Sequence, residues 1–181
     1  NNSIYIKLNS KKFDNKAATD FLLKLSGVNL IVKADFISTY KDKNITSGNF
    51  LVKKDKNTIT SIFEYKDNEL IIVKSNLRNP FLDGKLEGKI KFLPYFNFNL
   101  DVNLNSVNFT RLYNYFLNLD EGKQKNFFKI SKKINGKLVL SSAKIYSKNN
   151  LVKSFESRIN FNNGNILIDQ FLLNLGKLGA A

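Results

Sequence analysis

Cysteine, histidine, methionine and tryptophan are all missing from the 181 residues. Without cysteine there is neither a disulfide frame nor a thiolate metal site. Without histidine the commonest general base and the commonest transition-metal ligand are gone, so triads and most zinc chemistry lose their usual players. Carboxylate pairs such as Glu64 with Glu69, or Asp83 with Glu87, lie near turns or are read as facing opposite ways. The chain is therefore read as a non-enzymatic protein with no cofactor. No apolar run approaches the roughly 18 to 20 residues of a membrane-spanning helix, and no signal-peptide pattern opens the sequence, which describes a soluble segment. The absent Met, and a start at Asn1 beside the strand-like SIYIKL, lead to the expectation of a piece cut from a longer protein. At this length the piece can build one domain with a core.

Arginine is also scarce. Of the 29 basic residues only Arg78, Arg111 and Arg158 are arginines, which leaves 26 lysines against 15 acidic residues and a formal charge of +14. Such a charge invites a nucleic-acid partner, but base readout and bidentate phosphate clamping favour Arg. The lysines are spread over strands and turns, and the Phe and Tyr sit within apolar alternation instead of interleaving with Lys as a stacking platform. The abundance of Lys, Asn, Ile and Phe matches the residue bias of an AT-rich genome. Attraction to an anionic membrane surface stays open; nucleic acid is not expected.

What is present is alternation. In PYFNFNLDVNLN, residues 94–105, Phe96, Phe98, Leu100, Val102 and Leu104 fall on one side, and Asn97, Asn99, Asp101, Asn103 and Asn105 on the other. Period two is the mark of a β-strand with one buried and one solvated face. Similar runs occur at 3–8, 28–40, 44–54, 58–65, 69–77, 81–93, 134–146, 151–161 and 165–175. The joints at 41–43, 55–57, 66–68 and 162–164 are short and polar, as in hairpins. Strands joined this tightly are antiparallel neighbours, which predicts a meander.

Two stretches have helical spacing instead. Residues 15–27 place Phe21, Leu22 and Leu25 on one face with Gly27 as a stop. Residues 108–122 place Phe109, Leu112, Tyr113, Phe116 and Leu117 on one face, with Asn108 or Thr110 as cap and Gly122 beyond the end. Residues 123–133 receive no assignment. The order helix, glycine, strand, strand, strand occurs in 16–65 and again in 108–175, with Gly27 and Gly136 in corresponding places. This predicts repeat-like units of about 16–107 and 108–181 within one segment, 1–181.

About ten strands at roughly 4.8 Å spacing and about eleven residues at roughly 3.4 Å rise make an apolar face near 48 Å by 37 Å. Two helices about 15 Å long and 10 Å wide cover little of it. The expected fold is thus mainly β: a long antiparallel meander curved into an open sheet or half-barrel groove, with two short amphipathic helices. Short joints disfavour a sandwich, and the Asn, Asp and Lys of the opposite face exclude a membrane barrel. A closed barrel holding one ligand, and a structural or adhesive β protein with a self-packed core, remain as alternatives.

The stretch 81–116 carries a G-x-x-x-G spacing (Gly84, Gly88), a Pro-led alternating strand from Pro94 and a short helix. Residues 134–180 return a pattern of glycine, strand, strand, i-x-f-x-n-G-x-i-x-i and a final L-G. Over roughly 27–180 the chain resembles the AsmA group of bacterial envelope proteins. The resemblance implies a periplasmic segment of a protein anchored in the inner membrane of a Gram-negative bacterium, built from repeated β-groove units. It implies further a role in phospholipid transport and outer-membrane homeostasis, with acyl chains inside the groove, head groups at its open seam, and other envelope proteins as partners. It carries over no catalytic residue. The expected groove lining is Val28, Leu30, Val32 and Phe36 on an early strand, Leu86, Ile90 and Phe92 on a middle one, and Phe96, Phe98, Leu100, Val102 and Leu104 on the next.

Overall fold

Alternation becomes strand at each of the expected runs, and the strands join one sheet. The computed structural model describes residues 3–40, 44–120, 122, 133–149 and 151–181. Strands β1 (Ile4–Phe13), β2 (Lys16–Leu25), β3 (Leu30–Thr39), β4 (Ile45–Lys54), β5 (Asn57–Lys66), β6 (Glu69–Arg78), β7 (Leu82–Lys91) and β8 (Asn97–Asn108) follow one another as antiparallel neighbours. The helix α1 (Phe109–Leu117) then leads to β9 (Asn135–Ser142), which lies parallel to β8. The two-residue β10 (Ile145–Tyr146) runs beside the end of β8, and β11 (Ser154–Asn162) and β12 (Asn165–Asn174) extend the sheet antiparallel from β9. The outermost strands, β1 and β12, are not paired with each other, so the sheet is open and the closed-barrel alternative falls.

The joints are tight because their residues accept left-handed backbone. Asp67 and Asn68 close β5 to β6, and Asn163 and Gly164 close β11 to β12, with both loop residues at positive φ. That is the type I′ geometry whose twist matches the flanking strands. Asp14 and Asp55 take the same region in the two-residue loops after β1 and β4. The joint at 41–43 and the unassigned stretch 123–132 lie outside the described residues.

The helix expected over 15–27 is a correction. Residues 16–25 form β2, and a 3₁₀ turn spans Ser26–Val28 around Gly27. The apolar residues of KAATDFLLKL satisfy helical spacing and strand alternation at once, since Ala17, Thr19, Phe21, Leu23 and Leu25 also recur every second place. Pairing decides. β2 is bonded along its whole length to β1 on one side and to β3 on the other, which outweighs the helix propensity of two alanines. The first repeat-like unit consequently opens on a strand. The second helix is present and capped as expected, with the Asn108 side chain accepting from the Arg111 N–H at 2.9 Å; it ends at Leu117, short of Gly122.

Cross-strand register brings most of the large apolar residues of these strands to one face, while Leu22, Ile31, Leu51, Ile62 and Ile71 fall on the other. One row runs Leu8, Phe21, Ala34, Phe50, Ser61, Ser75, Leu86 and continues through Val102, Leu140, Ser157 and Phe171. The opposite face carries Lys85, Glu87 and Lys89 beside Asn103, Asp101 and Asn99. Every buried side chain among the described residues, including Ile72, Leu104, Val107, Ser75 and Ser157, is on the apolar face. None of the described helices or strands forms a second layer above it. Ser75, in mid-strand, is nonetheless only 1% exposed. Shielding of this kind comes from the sheet's own neighbouring side chains, which requires the sheet to be concave on that side.

Bending interrupts the ladder, and serines repair it. Val73 is an extra residue of β6 relative to both neighbours, Asn105 is extra in β8 and Asp169 in β12. Such bulges bend the strand and raise its twist. Beside the first, the Ser75 hydroxyl accepts from the Leu86 N–H at 2.7 Å and donates to the Leu86 carbonyl. Beside the third, the Ser157 hydroxyl donates to the Gln170 carbonyl at 3.2 Å. Among the described residues the four buried polar side chains are all serines, and each is bonded to a backbone group. A residue this small fits the inside of a bend, and its hydroxyl keeps broken ladder groups from being orphaned.

Ser75→Ala removes both bonds to Leu86 at a position only 1% exposed and should cost about 1–3 kcal/mol, read as a lower urea midpoint. Ser10→Ala, which breaks only an exposed bond to Thr19, should stay within about 0.5 kcal/mol of the parent.

Candidate functional site: a concave apolar face

The concave face extends across eleven strands, about 48 Å in the hydrogen-bonding direction for ten gaps of roughly 4.8 Å. Along each ten-residue strand it measures about 34 Å before bending. Its central positions are small or well shielded, and its flanks hold larger groups. Ile4, Ile6 and Leu8 on β1, and Ile168 and Phe171 on β12, are more than half exposed, so the apolar surface remains open at both outer strands.

Of the twelve residues expected to line a groove, nine lie on this face within strands. Leu30, Val32 and Phe36 sit on β3, Leu86 and Ile90 on β7, and Phe98, Leu100, Val102 and Leu104 on β8, with Leu86 facing Val102 and Ile90 facing Phe98. Val28 is instead part of the 3₁₀ turn before β3 and is half exposed. Phe92 and Phe96 flank the connection from β7 to β8. They are inner links of an aromatic chain in which Tyr65 meets Phe92, Phe92 meets Phe96, Phe96 meets Phe98 and Phe98 meets Phe161, with centroids 5.3 to 6.4 Å apart. The β3, β7 and β8 groups named from the sequence share this face with residues of β1, β2, β4, β5, β6, β9, β11 and β12 that the sequence reading did not name. In β6 and β12 the alternation phase slips by one at the bulge, so that Ile72 is followed by Ser75 and Ile168 by Phe171; in the other strands the alternation is present in the sequence itself.

Two glycines shape the middle of the face. Gly136 has φ +152°, and a Cβ there would lie 2.4 Å from the Phe98 carbonyl oxygen and 2.6 Å from its ring. The Phe98 ring leans over this vacancy to reach Phe161 on β11, 5.3 Å between centroids. Gly88, at φ +134°, brings β7 equally close to Asn99. These are positions of close backbone approach that only glycine accepts without strain.

The outer face is solvated and mixes charged and amide side chains with apolar ones such as Leu22, Leu51 and Ile71. Lys89 meets Glu69 at 3.5 Å, a surface pair of small energetic weight. Asp83 and Glu87, expected to face opposite ways, both point outward on β7. Asp83 accepts hydrogen bonds from Ser106 and from Asn105, the bulged residue of β8. These two bonds, with a smaller contribution from the Arg78 charge, hold its carboxyl below the ordinary value of 3.8. No cluster of three or more metal-ligating side chains occurs among the described residues.

A second concavity adjoins the end of the apolar face. A cleft of 640 Å³ lies between α1, residues 145–149 and 151–152, and the inner side of β11 and β12. α1 buries none of its side chains: Phe109, Tyr113 and Leu117 remain half exposed. Its anchors are the Phe81 and Tyr115 rings at 5.3 Å and the Arg111 guanidinium donating to the Pro80 carbonyl at 3.3 Å. The helix thus stands at the rim of the sheet and does not cover its concave side.

Compared with protein families, with curated proteins and with solved structures, the chain matches none. No helix among the described residues is long and apolar enough to cross a membrane.

Because the folded Asp83 titrates below 3.8, its bonds stabilise the protein fully above that pH and are lost as pH falls through the lower folded value. Asp83→Asn should therefore lower Tm at neutral pH, and the gap from the parent should close as pH falls below 3.8. Thermal melts across that range check both sign and window.

Proposed function

We propose that this chain is a wall segment of a lipid-carrying groove. It binds acyl chains on its concave face and passes them along without chemistry, in support of phospholipid transport and outer-membrane homeostasis. The observation that carries the reading is a single apolar face, continuous in register across eleven strands, with no second layer over it among the described residues. Monomeric proteins rarely leave so large an apolar surface to water. Each methylene removed from water gains about 0.8 kcal/mol. A lining that stays apolar from β1 to β12 keeps that gain nearly constant along the path, so the barrier to sliding is low.

The open edges fit the same reading. β1, and β12 up to Leu173 where Ala181 folds back and pairs with it, present an outer edge with no neighbouring strand beside exposed apolar side chains, and flanking β-groove strands of the same protein would continue both ladder and lining. The likeness to the AsmA group rests on the glycine spacing, the Pro-led strand and the order of elements. It supports reading the segment as periplasmic, with an inner-membrane anchor elsewhere in the protein and envelope proteins as partners. The lysines of the outer face attract anionic head groups without reading them.

Purified protein should carry co-extracted phospholipid detectable by mass spectrometry and should take up a fluorescent fatty acid. Phe98→Asp, which sets a charge on the concave face, should abolish lipid crosslinking, and Asn99→Asp on the outer face should leave it unchanged. Lipid-free protein that takes up no probe would favour a structural β protein instead, and equal behaviour of the two variants would overturn the assignment of faces.

A further inference from the structure

We propose that the cleft beside α1 is a seat for one acyl chain bearing an anionic head group, at the end of the concave face; the inference rests on the lipid reading and names a site within it. The cleft has the 640 Å³ of a small-ligand pocket, inside the roughly 300–1,000 Å³ typical of such sites. Its walls divide by chemistry. Phe109 and Tyr113 from the helix, Leu151 from the following loop, and Phe155, Phe171 and Leu173 from β11 and β12 supply the apolar part, and Asn114, Lys148 and Asn149 supply the polar part.

Three observations select this occupant. Phe155, Phe171 and Leu173 also belong to the concave face, so a chain lying in the groove enters the cleft without crossing water. Lys148 has no acidic partner among the described residues, so a single cation with two amides beside it matches a carboxylate or phosphate head. β11 is hydrogen-bonded on both sides, to β9 and β12, and offers no free ladder to an extended peptide. The half-exposed apolar side of α1 is then the outer wall of the seat, a role that its lack of buried residues leaves otherwise unexplained.

The test uses the whole chain, freed of lipid, with a photoreactive diazirine analogue of palmitate and peptide mapping of the adducts. Adducts at Tyr113, Leu151 or Phe171 are expected. Leu151→Asp, an exposed loop position whose change leaves the circular dichroism spectrum intact, should reduce them by about tenfold or more. Lys148→Glu should weaken palmitate binding by about threefold or more and leave hexadecanol unchanged. Equal loss of both ligands would overturn the head-group assignment. Protection of the adducts by phosphatidylglycerol vesicles supports the seat with a phospholipid as its source, and protection by free palmitate alone supports it with a fatty acid; protection by neither overturns it. Adducts confined to Phe36 and Phe98 would overturn the seat while the groove stands, adducts confined to the cleft would support the seat and remove the groove, and no adducts anywhere would remove both.

Discussion

A sheet that is apolar on one side and has no partner layer must shield that side with itself. This constraint organises the molecule. Concavity brings mid-strand side chains into mutual contact, and the price is a broken ladder at Val73, Asn105 and Asp169. Serine is the residue that answers both demands, small enough for the inside of a bend and able to satisfy a stranded backbone group. The buried polar side chains among the described residues are therefore structural.

Curvature also separates two environments that a flat sheet would leave equivalent. On the inner side the aromatic chain from Tyr65 to Phe161 packs laterally over glycine, which keeps large rings within the face. On the outer side Asp83, Lys89 and their neighbours stay hydrated, where their interactions are weak and their solubilising effect is strong. A sheet that is apolar on one side and solvated on the other, with no strand beyond β1 and only Ala180 and Ala181 folded against the end of β12, is suited to extension by further strands. The lipid proposal uses these features and needs no catalytic group.

Much of this was legible in the residues. Strict alternation in FNFNLDVNL identified β8 and its two faces, the Asp and Asn pairs identified the hairpins, and Asn108 identified the start of α1. The helix expected over 15–27 failed because Phe21, Leu22 and Leu25 satisfy two periods, and only pairing with β1 and β3 chooses between them. Val28 left the lining because the chain turns before β3 begins. The parallel placement of β9 beside β8 was equally invisible, since a long connection through α1 permits either direction.

The sequence by itself determined the local conformations and the chemical nature of each face, because period-two alternation and left-handed turn residues act within a few positions of one another. Only the tertiary structure decided that the faces merge into one concave surface, that the alternation slips at three bulges, and that α1 stands at the rim over a cleft. Those outcomes depend on cross-strand register and on hydrogen bonds between residues far apart in the chain, such as Ser75 with Leu86 or Ser157 with Gln170, whose partners no local pattern names.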